Sequence, residues 1–292
     1  MNSAVVDDII RRALEEDAPW GDLTSEAFLP LGVMATASLV ARESGILSGI
    51  DVFARVFELV DPSTSINVLV HDGAVISAGM TLAGIQGDAR AVLRAERVAL
   101  NLAQRMTGIA TLTSRYVAEV AGTKARIVDT RKTTPGLRML ERQAVRDGGG
   151  HNHRYSLSDA VLAKDNHLAV LSAAGIPLGV AVRAARARIG HTIHLEVEVD
   201  RLDQIEEVVS AGVDTIMLDN FTPAELIAGV AVVAGRALVE ASGGVSLETV
   251  AAIASSGVDI ISVGALTHSA RALDLGLDIG LDVVLDVGVG LA

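Results

Sequence analysis

Residues 193–219 read IHLEVEVDRLDQIEEVVSAGVDTIMLD. Ile193 to Val199 alternates apolar and polar side chains, the two-residue period of a strand. Leu202 to Ala211 has helical length and spacing, and Thr215 to Asp219 is a second β-rich run. The same order recurs on both sides. Further strands are expected at Arg126–Asp129, Ala160–Lys164, Ala237–Ala241 and Asp259–Val263, with helices at Pro223–Ala234 and Leu247–Ser255. Strand followed by helix, repeated, implies a parallel sheet that is either wound on both faces or closed into a barrel. The count is six strands, fewer than a complete eight-stranded barrel has.

Polar residues gather where these strands end: Asp129, Thr130, Arg131 and Lys132; Lys164 and Asp165; Glu198; Asp219 and Asn220; Ser242, Gly243 and Gly244; Gly264. That edge is where barrels and open α/β sheets keep their active sites. Before residue 110 the pattern is different. A helix-like segment, Val5 to Glu16, and a turn at residues 18–21 precede short alternating runs punctuated by Gly45, Gly49, Gly73, Gly79, Gly84 and Gly87. These suggest a small mixed domain, bridged onward by helical spacing from Ala91 to Val120. The tail from Leu273, LDLGLDIGLDVVLDV, alternates apolar and acidic residues and reads as an edge strand returning to the first domain. The expected division is therefore 1–110 together with 273–292, and 111–272.

The chain has 292 residues, a net charge of −12, no cysteine and 2% aromatic residues. Low aromatic content and an acidic total argue against a nucleic-acid partner, which favours basic surfaces and stacking rings. No long uncharged apolar run is present, so no membrane span is expected; absence of cysteine and of a secretory pattern at the start points to the cytoplasm. Against this acidic background, residues 131–154 carry Arg131, Lys132, Arg138, Arg142, Arg146 and Arg154, six cations, against only Glu141 and Asp147. His151 and His153 lie there too, beside Gly148, Gly149 and Gly150, which lack side chains that would hold a ligand off the backbone. A small polyanion is the partner this island suits.

The residues alone leave several readings open. Arg138, Arg142 and Arg146 with Glu141 and Asp147 fit a solvated, salt-bridged helical face, and His151 fits a loop-structuring role. Asp219 fits a helix cap as well as a site. Glu196 shares a strand face with Glu198, and spacing does not choose between them. Lys132 and Lys164 at strand ends also fit Schiff-base aldolase chemistry, although the arginines around them favour anion binding. Residues 72–87, DGAVISAGMTLAGIQG, have the outline of a biotinyl or lipoyl carrier, but no lysine there to carry the group.

The chain closely resembles the quinolinate phosphoribosyltransferase family over nearly its whole length. The likeness runs through EDAPWGDLTSE (16–26), ARESGILSGI (41–50), AERVALNLAQRMTGIAT (95–111), the basic island, LEVEVD (195–200), IMLDNF (216–221), EASGGVS (240–246) and ISVGALTHS (261–269). One such motif is weak; this many in order is strong. The resemblance implies an incomplete α/β barrel of about seven strands and an N-terminal open-faced α/β sandwich that the C-terminal strand joins. It implies a homodimer whose active sites are shared, with Arg97 reaching into the partner's site. The implied reaction joins quinolinate to phosphoribosyl pyrophosphate with loss of carbon dioxide, giving nicotinate mononucleotide and pyrophosphate; the nearest rival is a relative that takes another aromatic acid without decarboxylation. Arg131, His153 and Arg154 match the family's quinolinate contacts, with Thr130, Lys132 and Lys164 beside them. Glu198 and Asp219 match its acidic pair on the ribose and on Mg2+, direct or through ordered water. Ser242, Gly243 and Gly244, then Val263, Gly264 and Ala265, match its phosphate-binding turns, and His268 adds a donor. Lys132, Lys164, Glu198 and Asp219 are the implied catalytic groups, with no organic cofactor. Arg142 stands where the family has lysine.

Overall fold

The computed structural model describes residues 3–280; the rest of the expected C-terminal strand, 281–292, lies outside the described residues. In chain order, α1 (Ser3–Asp17) and α2 (Leu23–Phe28) precede β1 (Met34–Ala41), β2 (Gly45–Ile46), α3 (Ile50–Val60), β3 (Ser65–Val68), β4 (Val75–Ile76), β5 (Thr81–Asp88) and α4 (Ala89–Glu119). Then come β6 (Arg126–Val128), α5 (Arg138–Asp147), β7 (Val161–Ala163), α6 (Asp165–Ala173), α7 (Leu178–Arg188) and β8 (Leu195–Val199). A single 3-10 turn, Leu202–Gln204, leads into α8 (Ile205–Ser210), β9 (Thr215–Asp219), α9 (Pro223–Val233), β10 (Leu238–Ser242), α10 (Val250–Ser255), β11 (Ile260–Ser262), α11 (Ala265–His268) and β12 (Leu275–Gly280). The described residues form two compact units: 3–112, 134–149 and 270–280 make one, and 113–133 with 150–269 the other.

The first unit is built on an antiparallel sheet in the order β12-β1-β5-β3. The alternation in MATASLVA buries Ala35, Ala37 and Leu39 on one face of β1, as a period of two requires. Leu39 pairs with Leu277 of β12 on one side and Ala83 of β5 on the other. The described part of the C-terminal tail is thus a strand of this sheet. The carrier-like segment 72–87 supplies β4 and most of β5. On α3 the Phe53 and Phe57 rings lie 5.0 Å apart, and Arg55 grips Asp7 of α1 through two hydrogen bonds of 2.8 and 2.9 Å.

Helix α5 departs from the solvated, salt-bridged face that its spacing suggested. Glu141 falls beside Leu140, Ala144 and Val145 on the buried side, so its carboxylate is out of water. It accepts from Arg105 Nε and Nη2 at 3.1 and 2.8 Å and from the Thr134 amide at 3.1 Å. Asp147 accepts from Ser48 Oγ at 2.6 Å and Gln143 Nε2 at 2.7 Å. A buried charge is tolerated only when paired and hydrogen-bonded, which these contacts supply.

The second unit is the incomplete barrel. Its parallel strands follow the order β7-β8-β9-β10-β11-β6, six as counted from sequence. A seventh position is reduced to one parallel bridge, His151 with Val128, and no ladder joins it to β7 among the described residues. The barrel stays open there because the next backbone donors leave the ladder: the His153 amide goes to the Asp129 carboxylate at 2.7 Å. Thr222 and Glu225 cap α9 reciprocally, with Pro223 at its first turn. The cap of α9 is therefore Thr222 and not Asp219.

Removing Glu141 takes the carboxylate partner from the Arg105 guanidinium. Glu141→Ala is expected to lower the unfolding free energy by about 3 kcal/mol, the order found when one member of a buried pair is deleted. Glu141→Gln, which keeps an acceptor, is expected to lose less; urea midpoints of the two variants measure the difference.

Candidate active site

A cavity of about 470 Å3 opens at the carboxyl ends of the barrel strands. Thr130, Arg131 and Lys132 follow β6, Lys164 follows β7, and Glu198 sits on β8, Asp219 on β9 and Ser242 on β10; all line it, with His153 and Arg154. Parallel pairing produces this convergence, since Ser242 stands level with Asp219 and Glu198 with Met217. Cations thus occupy one arc of the wall and carboxylates the next.

Local hydrogen bonds fix the cationic arc. The Lys132 amide donates to Thr130 Oγ1 at 3.1 Å, and Thr267 Oγ1 holds the Lys132 carbonyl at 2.7 Å. Arg154 Nη1 donates to the Ala160 carbonyl at 3.0 Å. Burial lowers the Arg154 pKa, and the charge on Arg131 lowers it further against weaker help from Glu196 and Asp159. Two guanidinium groups are therefore held close enough to repel, an arrangement that an anionic ligand relieves. Lys164 is ion-paired with Glu198. A lysine engaged by a carboxylate is an anion-binding group, whereas Schiff-base chemistry needs a free amine.

His153 has a crowded environment. Its Nε2 lies 3.3 Å from Glu196 and 3.5 Å from Glu240, both buried. Burial alone would lower the His153 pKa, but hydrogen bonds to these two acids outweigh it and push it up to about 10. A second ring proton would have to sit on Nδ1, which instead accepts the Arg154 amide at 2.7 Å. Burial raises the Glu196 pKa, and the nearby Glu240 charge adds to that against the His153 contact. The raised value therefore belongs to the coupled cluster, in which the proton is shared between His153 Nε2 and the two carboxylates. Although it lines the cavity, His153, expected to hold substrate, has both ring nitrogens engaged by protein atoms.

Sequence reasoning passed over Glu240, Ser262, Met217 and Leu162, which also line the cavity. Glu240 was within reach: it lies two residues before Ser242 on one strand, so both point inward. The spacing of Glu196 and Glu198 is the same, and both are buried, but Glu198 lines the cavity and Glu196 faces His153. The basic island divides: Arg131, Lys132 and Arg154 belong to the barrel unit, while Arg138, Arg142 and Arg146 lie on α5 in the other. Arg97 also lies in that first unit, on α4, its side chain 59% exposed.

Of the expected phosphate-binding residues, only Ser242 lines the cavity. Gly243 and Gly244, in the turn after β10, have φ of +87° and +60°. A Cβ on Gly243 would lie 2.2 Å from Asn220 Oδ1 and 2.9 Å from the Asn220 amide nitrogen. That amide donates to the Ser242 carbonyl at 2.8 Å, so the turns after β9 and β10 touch and only glycine fits. Val263 is buried, and Gly264 packs beside Lys132, 3.1 Å from a built Cβ to its Cδ. Ala265 opens the four-residue α11, whose last residue, His268, is exposed and bonded to Ser269 Oγ at 2.7 Å.

A barrel mouth that opposes guanidinium and ammonium groups to carboxylates, beside glycine turns, defines an enzyme site for anionic substrates. Residues 22–107 match the N-terminal domain, and residues 109–278 the C-terminal domain, of quinolinate phosphoribosyl transferase. The nicotinate-nucleotide pyrophosphorylase [carboxylating] of Mycobacterium leprae is 46% identical over 276 residues, covering 92% of this chain and 95% of the relative. The probable enzyme of that name from Bacillus subtilis is 40% identical, covering 95% and 94%. The crystal structure of NadC from Streptococcus pyogenes superposes with a TM-score of 0.90 at 39% identity, covering 96% of this chain and 99% of that one. The chain belongs to the quinolinate phosphoribosyl transferase family.

The contact between the two turns gives a direct test. Gly243→Ala puts a Cβ against Asn220 at a backbone angle that L residues avoid, and is expected to cost about 2 kcal/mol of stability. A thermal melt against the unsubstituted protein reads this, and no shift would show that the turns can part freely.

Proposed function

We propose that the protein transfers the phosphoribosyl group of phosphoribosyl pyrophosphate to quinolinate with loss of carbon dioxide, giving nicotinate mononucleotide and pyrophosphate. The observation that carries this is the single cavity in which Arg131, Arg154, Lys132 and Lys164 face Glu198 and Asp219. Guanidinium groups hold adjacent carboxylates through paired, charge-assisted hydrogen bonds. In this reading Arg131 and Arg154 take the diacid, and Thr130, Lys132 and Lys164 complete its surroundings. The ring nitrogen attacks the anomeric carbon as the bond to pyrophosphate breaks. Positive charge then grows on the sugar, where Glu198 and Asp219 lower its energy. Loss of the carboxylate next to the new pyridinium leaves an electron pair that the positive ring stabilises until it takes a proton. That step needs placement more than a covalent helper.

Glu198 and Asp219 offer oxygen donors at neighbouring strand ends, the ligand type magnesium prefers, and would hold it directly or through water. Bound there, the ion would neutralise the departing pyrophosphate. Lys164, now paired with Glu198, would turn to the anion when Glu198 takes up that task. The turns at 242–244 and 263–265 would present backbone amides to the sugar phosphate, with His268 beside them.

A homodimer with shared sites belongs to the same proposal. Trp20, Phe28 and Leu31 are 90%, 81% and 83% exposed within a short stretch of chain, apolar surface that a second copy would cover. Exposed Arg97 would act in the partner's site. No single described helix is long and apolar enough to cross a membrane, and a cysteine-free chain suits the cytoplasm we assign.

With magnesium, phosphoribosyl pyrophosphate and quinolinate, the protein is expected to release equal amounts of carbon dioxide, pyrophosphate and nicotinate mononucleotide. Turnover of nicotinate in place of quinolinate would overturn the reading. Arg131→Ala is expected to lower kcat/KM about 100-fold, the size of a lost charged contact of about 3 kcal/mol. Mixing Arg97→Ala subunits with Arg154→Ala subunits is expected to restore part of the activity each lacks; no recovery would place Arg97 outside the partner's site.

A further inference from the structure

A pattern repeats in the barrel unit and bears on its floor, the amino ends of the strands opposite the cavity. Leu195-Glu-Val-Glu198 is echoed by Val239-Glu-Ala-Ser242, and Gly212-Val-Asp-Thr-Ile216 by Gly257-Val-Asp-Ile-Ile261. A helix of six residues stands between the two motifs each time, α8 in one copy and α10 in the other. Both helices stop at a glycine in the left-handed region, Gly212 at φ +91° and Gly257 at +90°, a common way to end a helix. A buried valine follows, Val213 or Val258, and then the aspartate. The copies also agree in space, since Glu196 and Glu240, second in their motifs, both lie beside His153.

Asp214 and Asp259 make the same set of contacts. The Asp214 amide donates to the Leu195 carbonyl at 2.9 Å, its Oδ2 accepts the Leu195 amide at 2.7 Å, and its carbonyl accepts the Leu238 amide at 3.0 Å. The Asp259 amide donates to the Val239 carbonyl, its Oδ2 accepts the Val239 amide, and its carbonyl accepts the Arg126 amide, all at 2.9 Å. Each aspartate thus grips one residue of the preceding strand by both backbone groups and offers its carbonyl to the next strand. At the start of a parallel ladder the incoming chain turns away, and a strand amide left unpaired is costly. The carboxylate stands in for the missing carbonyl. A slip of one residue would bring Val213 or Thr215 opposite Leu195, and Val258 or Ile260 opposite Val239, none of which carries a carboxylate.

A cation orients each clamp: Arg186 Nη2 lies 2.6 Å from Asp214 Oδ2, and Lys124 Nζ lies 2.6 Å from Asp259 Oδ1. A cavity of about 370 Å3 borders both aspartates and Lys124, so an amide released from either clamp would meet solvent there. The ladders themselves are short. Four residue pairs join β8 to β9, but only Glu240 with Ile260 and Ala241 with Ile261 join β10 to β11.

We infer that Asp214 and Asp259 are positioning residues, which from the barrel floor fix the register of β8 with β9 and of β10 with β11 and so hold Glu198 and Asp219, and Ser242 and Gly264, level at the mouth. This rests on the quinolinate reaction proposed above. The spacing is the same in both copies. Each clamped residue lies three positions before a mouth group, Leu195 before Glu198 and Val239 before Ser242, and each aspartate five before another, Asp219 or Gly264. The mouth groups themselves differ between the copies, acids in the first and small neutral residues in the second, while the floor is unchanged. One frame therefore presents the metal-side acids on one pair of strands and the phosphate turns on the next.

Hydrogen exchange and kinetics in the full chain test this together. Asp214→Ala is expected to speed amide exchange in β8 about tenfold, and Asp259→Ala to do so in β10 by at least as much, the loss of one charge-assisted hydrogen bond. Both should raise the phosphoribosyl pyrophosphate KM about tenfold, because slight misplacement of reacting groups is costly, with the quinolinate KM held within about twofold. Only Asp214→Ala should also raise the magnesium concentration needed for half activity. Asp214→Asn and Asp259→Asn keep a carbonyl oxygen for the clamped amide and should recover most of both effects. Lys124→Ala, which leaves the Asp259 carboxylate on Val239, should change neither KM. Faster exchange with unchanged KM values would make the clamps purely structural and overturn the inference. So would equal rises in both KM values, asparagine as damaging as alanine, or exchange speeded evenly across all six strands. Where an alanine variant does not fold, Asp214→Glu or Asp259→Glu, which keeps the charge but lengthens the arm by one methylene, replaces it under the same criteria. Failure of the unsubstituted chain to turn over quinolinate would instead sink the proposed reaction, and exchange with phosphoribosyl pyrophosphate affinity by calorimetry would then judge the clamps alone.

Discussion

Parallel hydrogen bonding between strands is the constraint on which this site depends. In a parallel ladder every strand points the same way, so the residue that ends each strand arrives at one edge. Thr130 to Lys132, Lys164, Glu198, Asp219 and Ser242 are far apart in sequence and share a cavity for that reason alone. The register is exacting. Because side chains alternate, a slip of one residue in β8 would turn Glu198 out of the barrel and bring Val197 or Val199 in.

The same geometry concentrates charge. Arg131 and Arg154 stand close enough for one to depress the pKa of the other, while three carboxylates, Glu198, Asp219 and Glu240, line the adjacent wall and Glu196 is buried beside His153. Such a constellation is unfavourable without a ligand, and ion pairing inside the cavity, Lys164 with Glu198, offsets only part of it. A substrate that carries carboxylates and phosphates supplies the missing counter-charges. Binding energy is thereby prepared by the fold before the ligand arrives.

One segment gives up regular structure for this purpose. After Gly150 the chain makes a single bridge to β6 and then spends its backbone and side-chain hydrogen bonds on Asp129 and on its own ring. The barrel is left open between that bridge and β7, and His153 and Arg154 are fixed where a longer strand would have carried them past.

The amino-acid order by itself determined the β-then-α repeat, the six parallel strands to within a residue or two, the helices that follow β8, β9 and β10, and the strand-end location of Lys132, Lys164, Glu198 and Asp219, whereas α6 and α7 between β7 and β8 were not marked by it. Those are local matters: periodicity, turn residues and motif order are written along the chain. Whether the sheet winds or closes, that α5 lies outside the barrel unit, that Glu141 is buried and that Glu240 reaches the cavity were decided only by tertiary packing. Sequence spacing shows which face of an element a residue occupies, but not what that face meets. A basic island continuous in sequence is therefore shared between two units, and a histidine beside an arginine is turned to buried acids by strands that lie further along the chain.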